Sequence, residues 1–371
     1  MATDITPVSE SSSSPALEPE NRLASYAFLA SEILQIPLYC LLNPIIGHVC
    51  TVLTPGEFGN CDSKTWEIAR RILLVPLGIV VGVTAVPTAL MAMACNFVGD
   101  ICLGNQPYLR LIGTYAGEKK ETFATFNMST LLPTMTLNDG VEYSHDRLKK
   151  VAAKLKDFHF VCGQEVDGAS ARFFSQELKS HFTEFYTYLG KSNAPLLSSG
   201  LFFASKEKVQ SVTVIPFTGP VQKTIKRQLV IFELENYCVA TMHLDSGDQT
   251  TQIHLSEINQ AKAALIKCQK PVILCGDFNE NRYTPSAAYA ALTEGFVDCI
   301  AEQRPGQTIE TCTDALEKKR FGDLQPPTSE SIDYIMTNKA QNKLKLEFLG
   351  TEYDFNLSDH HLVKGKIIFL V

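Results

Sequence analysis

The sequence predicts an α+β fold, two packed sheets flanked by helices, with an apolar helical membrane hairpin in front of it. Three observations predict it. From residue 118 onward, ten short runs rich in Val, Ile and Phe interleave with four helical patterns, the proportion expected of sheets covered by helices. Before residue 100, two stretches carry no charged residue, 33–56 and 72–99. No repeat or low-complexity tract interrupts the chain after residue 118. The chain therefore divides into a Ser-rich leader (1–22), a hydrophobic membrane-associated helical region (23–112) and a mixed α and β domain (118–371).

The leader contains SESSSSPALEPE and lacks the basic stretch and apolar core of a secretory signal. Its composition is that of a disordered tail. The first uncharged run is 24 residues long and the second 28, whereas a helix needs about 20 apolar residues to cross a bilayer. Pro37, Asn43, Pro44 and His48 interrupt the first run, and Pro76, Gly78, Gly82 and Pro87 the second. Membrane helices tolerate such breaks better than water-soluble ones. Three arrangements fit: a hairpin dipping into one leaflet, two full spans, or a buried helical pair. The prolines favour the hairpin, and membrane association through residues 33–99 is expected. Arg70 and Arg71 directly precede the second run, where they can meet anionic lipid headgroups.

Charge limits the partners. Lys and Arg number 33 against 40 Asp and Glu, a net charge of −7. Proteins that grip nucleic acid electrostatically are basic, so nucleic acid is disfavoured. Charged residues make up 20% of the chain, below the roughly 25% of soluble domains, and the shortfall sits in the two uncharged runs. The 45% hydrophobic content excludes a wholly disordered chain. Eleven cysteines show no CxxC and no metal-finger spacing, the usage of reduced thiols in a cytosol-like compartment.

In chain order the strands read as 123–128, 158–162, 201–205, 212–216, 229–233, 238–243, 272–275, 331–336, 346–350 and 362–368. Helical periodicity fits 145–156, 169–181, 252–268 and 285–293. Polar residues gather where the strands end. They are Asn127 in ATFNMST, Glu165 in FVCGQEVDG, His243 in VATMHLDSG, Asp277 and Asn279 in VILCGDFNEN, Asp333 in SIDYIM, and Asp359 and His360 in LSDHHLV. One Asn or Asp after a strand is ordinarily a turn residue, and one His is ordinarily structural. Six such places are a different matter, because strand ends on one edge of a sandwich converge in space.

In this order, N…QE…H…GDxN…DY…SDH, the residues from Asn127 to His360 resemble the endonuclease/exonuclease/phosphatase superfamily, the DNase I-like sandwich of four α and β layers. The resemblance implies a metal-dependent phosphodiesterase or phosphomonoesterase, with magnesium as the usual ion and manganese as its substitute. It implies a metal held by Glu165, with support from Asn127 and Asp359. It further implies that Asp277 orients or deprotonates the attacking water and that Asn279 and His243 face the phosphoryl oxygens. His360, held in one tautomer by Asp333, would take a proton or stabilise the transition state. The residue types suit these roles. A phosphodiester is anionic, a hard cation on oxygen ligands offsets its charge, and magnesium needs few carboxylates. Amide donors stabilise charge developing on phosphoryl oxygens, and an imidazole fixed by a carboxylate moves protons. Which of Asp277 and His360 is the base stays open at this level. His361 reads as a neighbour turned to the other face.

Within the superfamily, two apolar runs followed by ATxN resemble the membrane-anchored neutral sphingomyelinases of the type-2 kind. Local stretches agree: FATFNMSTLLP at 123–133, FHFVCGQEV at 158–166, SSGLFFASK at 198–206, VILCGDFNEN at 272–281 and ETCTDALEKK at 310–319. This likeness implies hydrolysis of the membrane lipid sphingomyelin to ceramide and phosphocholine, with magnesium, under the influence of anionic lipids. GDFNEN differs from the GDLNYR type of inositol polyphosphate 5-phosphatases, while QEV and HLDS are shared with the tyrosyl-DNA phosphodiesterase branch. The alternatives are a phosphoinositide phosphatase or DNA-directed phosphodiesterase of the same fold, and, in another class, a catalytically inactive membrane scaffold. Two features depart from the type-2 pattern. Asn127 and Glu165 are only 38 residues apart, without the long insertion of the mammalian enzyme. Lys226 matches the lysine of the family's Asp–Lys switch, but Val221 stands where its aspartate is expected.

Overall fold

The computed structural model describes residues 17–34, 87–88, 90–118, 120–130, 145–190, 200–219, 227–246, 250–284, 286–315, 318, 326–339, 343–354 and 356–370. Two mixed sheets pack face to face with helices on their outer sides, the α+β arrangement expected. The larger sheet joins β1 (Glu18–Pro19), β2 (Leu109–Ile112), β5 (Glu184–Thr187), β6 (Phe202–Ser205), β4 (Phe160–Val166), β3 (Thr122–Thr130), β16 (Leu362–Phe369) and β15 (Leu344–Glu352), in that spatial order. The smaller joins β11 (Phe296–Asp298), β14 (Asp333–Asn338), β10 (Val272–Asp277), β9 (Cys238–His243), β8 (Gln228–Glu233) and β7 (Ser211–Pro216). A short separate pair, β12 (Cys312–Thr313) and β13 (Ser329–Glu330), lies beside them.

Each sheet is centred on a parallel pair. β3 and β4 are parallel across helix α3 (His145–Leu155), and β9 and β10 are parallel across helix α5 (Thr250–Leu265). A parallel pair needs such a crossover. Alternation along the strands then sorts residues into three cores. Phe123, Phe160, Cys162, Val239, Ile273, Cys275 and Ile335 fill the space between the sheets. Their strand neighbours Ala124, Phe126 and Val161 pack outward with α3 and α4 (Gly168–Glu177). On the other side, Ala240, Met242, Val272 and Leu274 meet α5 and α6 (Ala287–Gly295). Stacking of Phe203 on Phe232, 3.9 Å between ring centres, ties the sheets together and adds about 1 kcal/mol beyond its area burial.

The structure extends or adds several elements. β4 was expected to stop at 162 but runs through Gly163 to Val166, because Gly163 takes a ladder position opposite Phe202. β2, β5, β11 and the short helix α7 (Cys299–Gln303) are additions. β2 and β5 pair antiparallel and carry Arg110 and Glu184, which form an ion pair. Charged residues turned into a sheet edge hide the strand pattern. β1 and β2 join the larger sheet although they precede residue 118.

Most of the expected apolar hairpin lies outside the described residues, as do Arg70 and Arg71. The described parts belong to two helices, α1 over 22–34 and α2 over 90–103. Among the described residues no helix is long and apolar enough to cross a membrane. Both helices rest on the larger sheet's outer layer. Phe28 stacks on Tyr188 at 4.1 Å, Arg172 Nε donates to Glu32 Oε2 at 2.8 Å, and Asn21 Nδ2 donates to the Cys102 carbonyl at 2.7 Å.

Candidate active site

The strands that fill the inter-sheet core also build the site. Counting in twos from Phe123, Val239, Ile273 and Ile335 places Asn127, His243, Asp277 and Asp333 on the same inner faces. The register sets them side by side: Asp277 lies opposite His243 on β9 and opposite Asp333 on β14. Because β3, β4, β9 and β10 end on this rim, the polar residues replace the core where it opens.

Two residues depart from alternation. On β4 the inward position opposite Asn127 belongs to Gln164, and Glu165 reaches the rim with φ of +55°. Asn279 has φ of +48°. Left-handed backbone in residues other than glycine carries strain of roughly 1–3 kcal/mol and clusters at functional sites. In the GDxN stretch Gly276 has φ of +148°, and a Cβ there would meet the Met242 carbonyl oxygen at 2.0 Å. Only glycine lets β10 lie this close to β9.

A buried cluster of polar side chains fills the centre. Asp333 Oδ2 lies 2.9 Å from His360 Nδ1. His360 Nε2 is 3.3 Å from Asn127 Nδ2, 3.7 Å from Asp277 Oδ2 and 4.0 Å from Asp359 Oδ2. Asn127 Nδ2 donates to Asp277 Oδ2 at 2.9 Å, and its Oδ1 accepts from the Ser129 N–H at 3.1 Å. Among the described residues His243 Nε2 has no hydrogen-bond partner; it sits 3.5 Å from Asp277 Oδ2 and 4.0 Å from Glu165 Oε1. The Asn279 backbone N–H donates to Asp277 Oδ1 at 2.9 Å, and its side-chain amide donates to the Leu244 carbonyl at 3.0 Å, leaving a second amide hydrogen. All eight residues singled out in the sequence thus meet at one rim. His361 stands apart, stacked on Tyr353 at 4.5 Å.

The charges are polarised. Burial alone would raise Asp277, but His360, His243 and the donors of Asn127 and Asn279 hold it below the usual carboxylate value. Burial alone would lower His360, but the carboxylates of Asp333, Asp277 and Asp359 push it well above the usual histidine value. His243 is driven down to about 3 by burial and by Arg227. Burial raises Asp333 to about 6 against the pull of His360. At neutral pH, Asp277 is therefore an anion, His360 a cation and His243 neutral. Burial first, and Asp359 second, raise Glu165 to about 7. Glu165 and Asp359 are the open part of the site, with side chains 21% and 17% exposed.

A hard divalent cation fits these residues. Two partly open carboxylates crowd each other, and a cation between them would relieve the repulsion. Asn127 Oδ1 keeps one lone pair beyond its bond to Ser129. Supporting residues escaped the sequence reading. The Ser358 hydroxyl donates to the Asn127 carbonyl at 2.8 Å and accepts from the His360 N–H at 3.1 Å. Thr311 Oγ1 accepts from the Ile332 and Asp333 N–H groups. Arg227, whose Nε and Nη1 are buried without partners among the described residues, lies within electrostatic reach of Glu165 and Asp277. Val221 and Lys226 lie outside the described residues.

The sequence model of the Endonuclease/Exonuclease/phosphatase family matches residues 124–360, a span that encloses the whole cluster. No curated protein sequence matches the chain. Several solved structures are similar. SmcL aligns at 15% identity over 67% of this chain and 99% of its own, with a TM-score of 0.53. Beta toxin from Staphylococcus aureus aligns at 16% identity over 66% of this chain and 99% of its own, with a TM-score of 0.50. The mannosyl-6-phosphatase of Bacteroides thetaiotaomicron aligns at 14% identity over 67% of this chain and 100% of its own, with a TM-score of 0.47. The likeness to SmcL and beta toxin is one of fold.

Proposed function

The chain belongs to the endonuclease/exonuclease/phosphatase family, and from that premise we propose that it is a magnesium-dependent phosphodiesterase that cleaves the headgroup of a membrane lipid, sphingomyelin to ceramide and phosphocholine. The observation that carries the reading is the buried cluster of Asp333, His360, Asn127 and Asp277, opening onto Glu165 and Asp359. Glu165 and Asp359 would hold magnesium, or manganese in its place, with Asn127 Oδ1 beside them. When bound, the ion supplies positive charge that offsets the phosphodiester's own. Asp277, anionic and fixed from two sides, orients the attacking water and takes its proton. The new bond forms between water oxygen and phosphorus, and the ester bond to the lipid alkoxide breaks. His360, charged and held by Asp333, faces the developing negative charge, and the leaving alkoxide takes its proton from solvent. His243 Nε2 and the second Asn279 amide hydrogen are placed for the phosphoryl oxygens.

The lipid part of the reading is supported by helices α1 and α2. Leu23, Tyr26 and Ile33 on α1, and Leu90, Met91, Phe97, Val98 and Ile101 on α2, are exposed large apolar side chains. Apolar surface clustered on neighbouring helices suits a lipid surface, and both helices lead into the uncharged runs. Residues 33–99 would hold the enzyme at a membrane, with its catalytic domain in a reducing compartment and Arg70 and Arg71 near anionic headgroups. Phosphocholine release from vesicles of sphingomyelin, phosphatidylcholine or phosphoinositides, with magnesium, tests the substrate. Release from sphingomyelin alone is the expected result; phosphate release from phosphoinositides without any phosphocholine release overturns it.

A further inference from the structure

One cysteine touches the site without a part in the chemistry above. Cys312 opens β12, and its backbone bridges to His360. Two further hydrogen bonds clamp this strand to the site loop: Thr313 N–H to the Asp359 carbonyl at 3.0 Å, and His361 N–H to the Thr311 carbonyl at 2.7 Å. Cys312 sulfur, an Asp359 oxygen and a His360 nitrogen all lie within 4.8 Å of one another. Cys312 and Asp359 are half-buried and His360 is buried, so the group faces solvent from one side only.

We propose that Cys312, Asp359 and His360 form a second cation site, selective for zinc, whose occupation shuts the hydrolase off. The inference rests on the hydrolase reading for its regulatory meaning, though not for the site itself. A set of one sulfur, one oxygen and one imidazole nitrogen is a zinc set, whereas magnesium avoids thiolate. Zinc bonds of about 2.0–2.3 Å in tetrahedral array put donor atoms roughly 3.3–3.8 Å apart, so the donors need to close by about 1 Å. Backbone on both sides of the group is already fixed, and a water completes the fourth position. On binding, the Cys312 thiol and Nε2 of the His360 imidazolium each give a proton to solvent, and the sulfur bonds the metal as thiolate and the nitrogen as neutral imidazole. Nδ1 of His360 is engaged by Asp333, which leaves Nε2, the nitrogen facing Asp277. Zinc there occupies the imidazole that catalysis needs and draws Asp359 away from the magnesium position. Cys312 itself takes no part in magnesium-dependent hydrolysis.

The test uses the full chain, Cys312→Ser and Cys312→Ala, with cobalt(II) as a spectroscopic stand-in for zinc. The wild type is expected to show a near-ultraviolet thiolate-to-cobalt charge-transfer band that both variants lack. In the presence of saturating magnesium, the zinc concentration for half inhibition, read against each protein's own rate in magnesium alone, should rise about tenfold or more in the variants. An identical cobalt band in wild type and variants, or identical zinc inhibition, overturns the proposal. A wild type that hydrolyses no phosphodiester sinks the hydrolase reading instead, and the cobalt band still decides the cation site.

Discussion

The smaller sheet delivers His243, Asp277 and Asp333 from inward positions that obey strand alternation, whereas the larger sheet delivers Glu165 from a left-handed residue that breaks it. The two contributions also differ in setting. Asp277 and Asp333 are buried and hydrogen-bonded, with side chains 1% and 0% exposed, while Glu165 keeps 21% of its side chain open. On the proposed reading the regular sheet holds Asp277, which takes the water's proton, and Asp333, which fixes His360 from across the site. The irregular turn holds the group placed to meet a cation from solvent. Asn127, an inward residue of the larger sheet, joins the two through its bond to Asp277.

Substitutions can separate these halves. Asp277→Asn should lower kcat about 10³-fold and leave the magnesium concentration for half-maximal rate unchanged, as steady-state kinetics across a magnesium series would show. Asp333→Asn should lower kcat about 10²-fold, because His360 loses the partner of its Nδ1; an unchanged kcat would break the comparison. Glu165→Gln should act in the other half, raising half-saturating magnesium about 10–100-fold, with activity partly restored by excess metal. If Glu165→Gln instead behaves like Asp277→Asn, the division of labour between the sheets is wrong.

The pH dependence is smaller. Glu165 is raised from 4.5 to about 7 in the folded protein. Below 4.5 it is protonated in folded and unfolded chains alike. Between 4.5 and 7 the unfolded chain ionises first, so this group's contribution to stability falls as pH rises through that window. Metal-free protein should therefore lose thermal stability across it, and Glu165→Gln should lose less. Magnesium affinity should rise with pH up to about 7 and then level off. Calorimetric titration at several pH values checks the second statement, and thermal melts check the first. The smallest effect is expected at the other end of the larger sheet. Exchanging exposed Phe97 and Ile101 of α2 for Ser should weaken vesicle binding without changing kcat on a soluble phosphodiester.

The sheets' inner strands were legible because apolar residues alternate with residues of the outer cores, and each of the ten expected runs falls on a strand. The site residues were legible as polar residues ending those runs, in an ordered set of motifs. What was missed has physical reasons. β2 and β5 are four residues each and carry Arg110 and Glu184, whose mutual pairing lets them sit in a sheet that a charge pattern argues against. β11 has three residues and leans on β14 for its register. Cys312 and Thr311 reach the site only through bonds to segments 20 to 50 residues away, and nothing local to TCTD announces them. Glu165 was found by its motif, not by alternation, which points to Gln164.

The proposed function stands or falls on one measurement: phosphocholine released from sphingomyelin vesicles by the purified full chain, in magnesium and in excess chelator, beside Asp277→Asn. It predicts release in magnesium, loss of release in chelator with recovery on adding magnesium back, and about 10³-fold less release by Asp277→Asn. Absence of release in magnesium, or release that survives chelation or the Asp277 substitution, contradicts it.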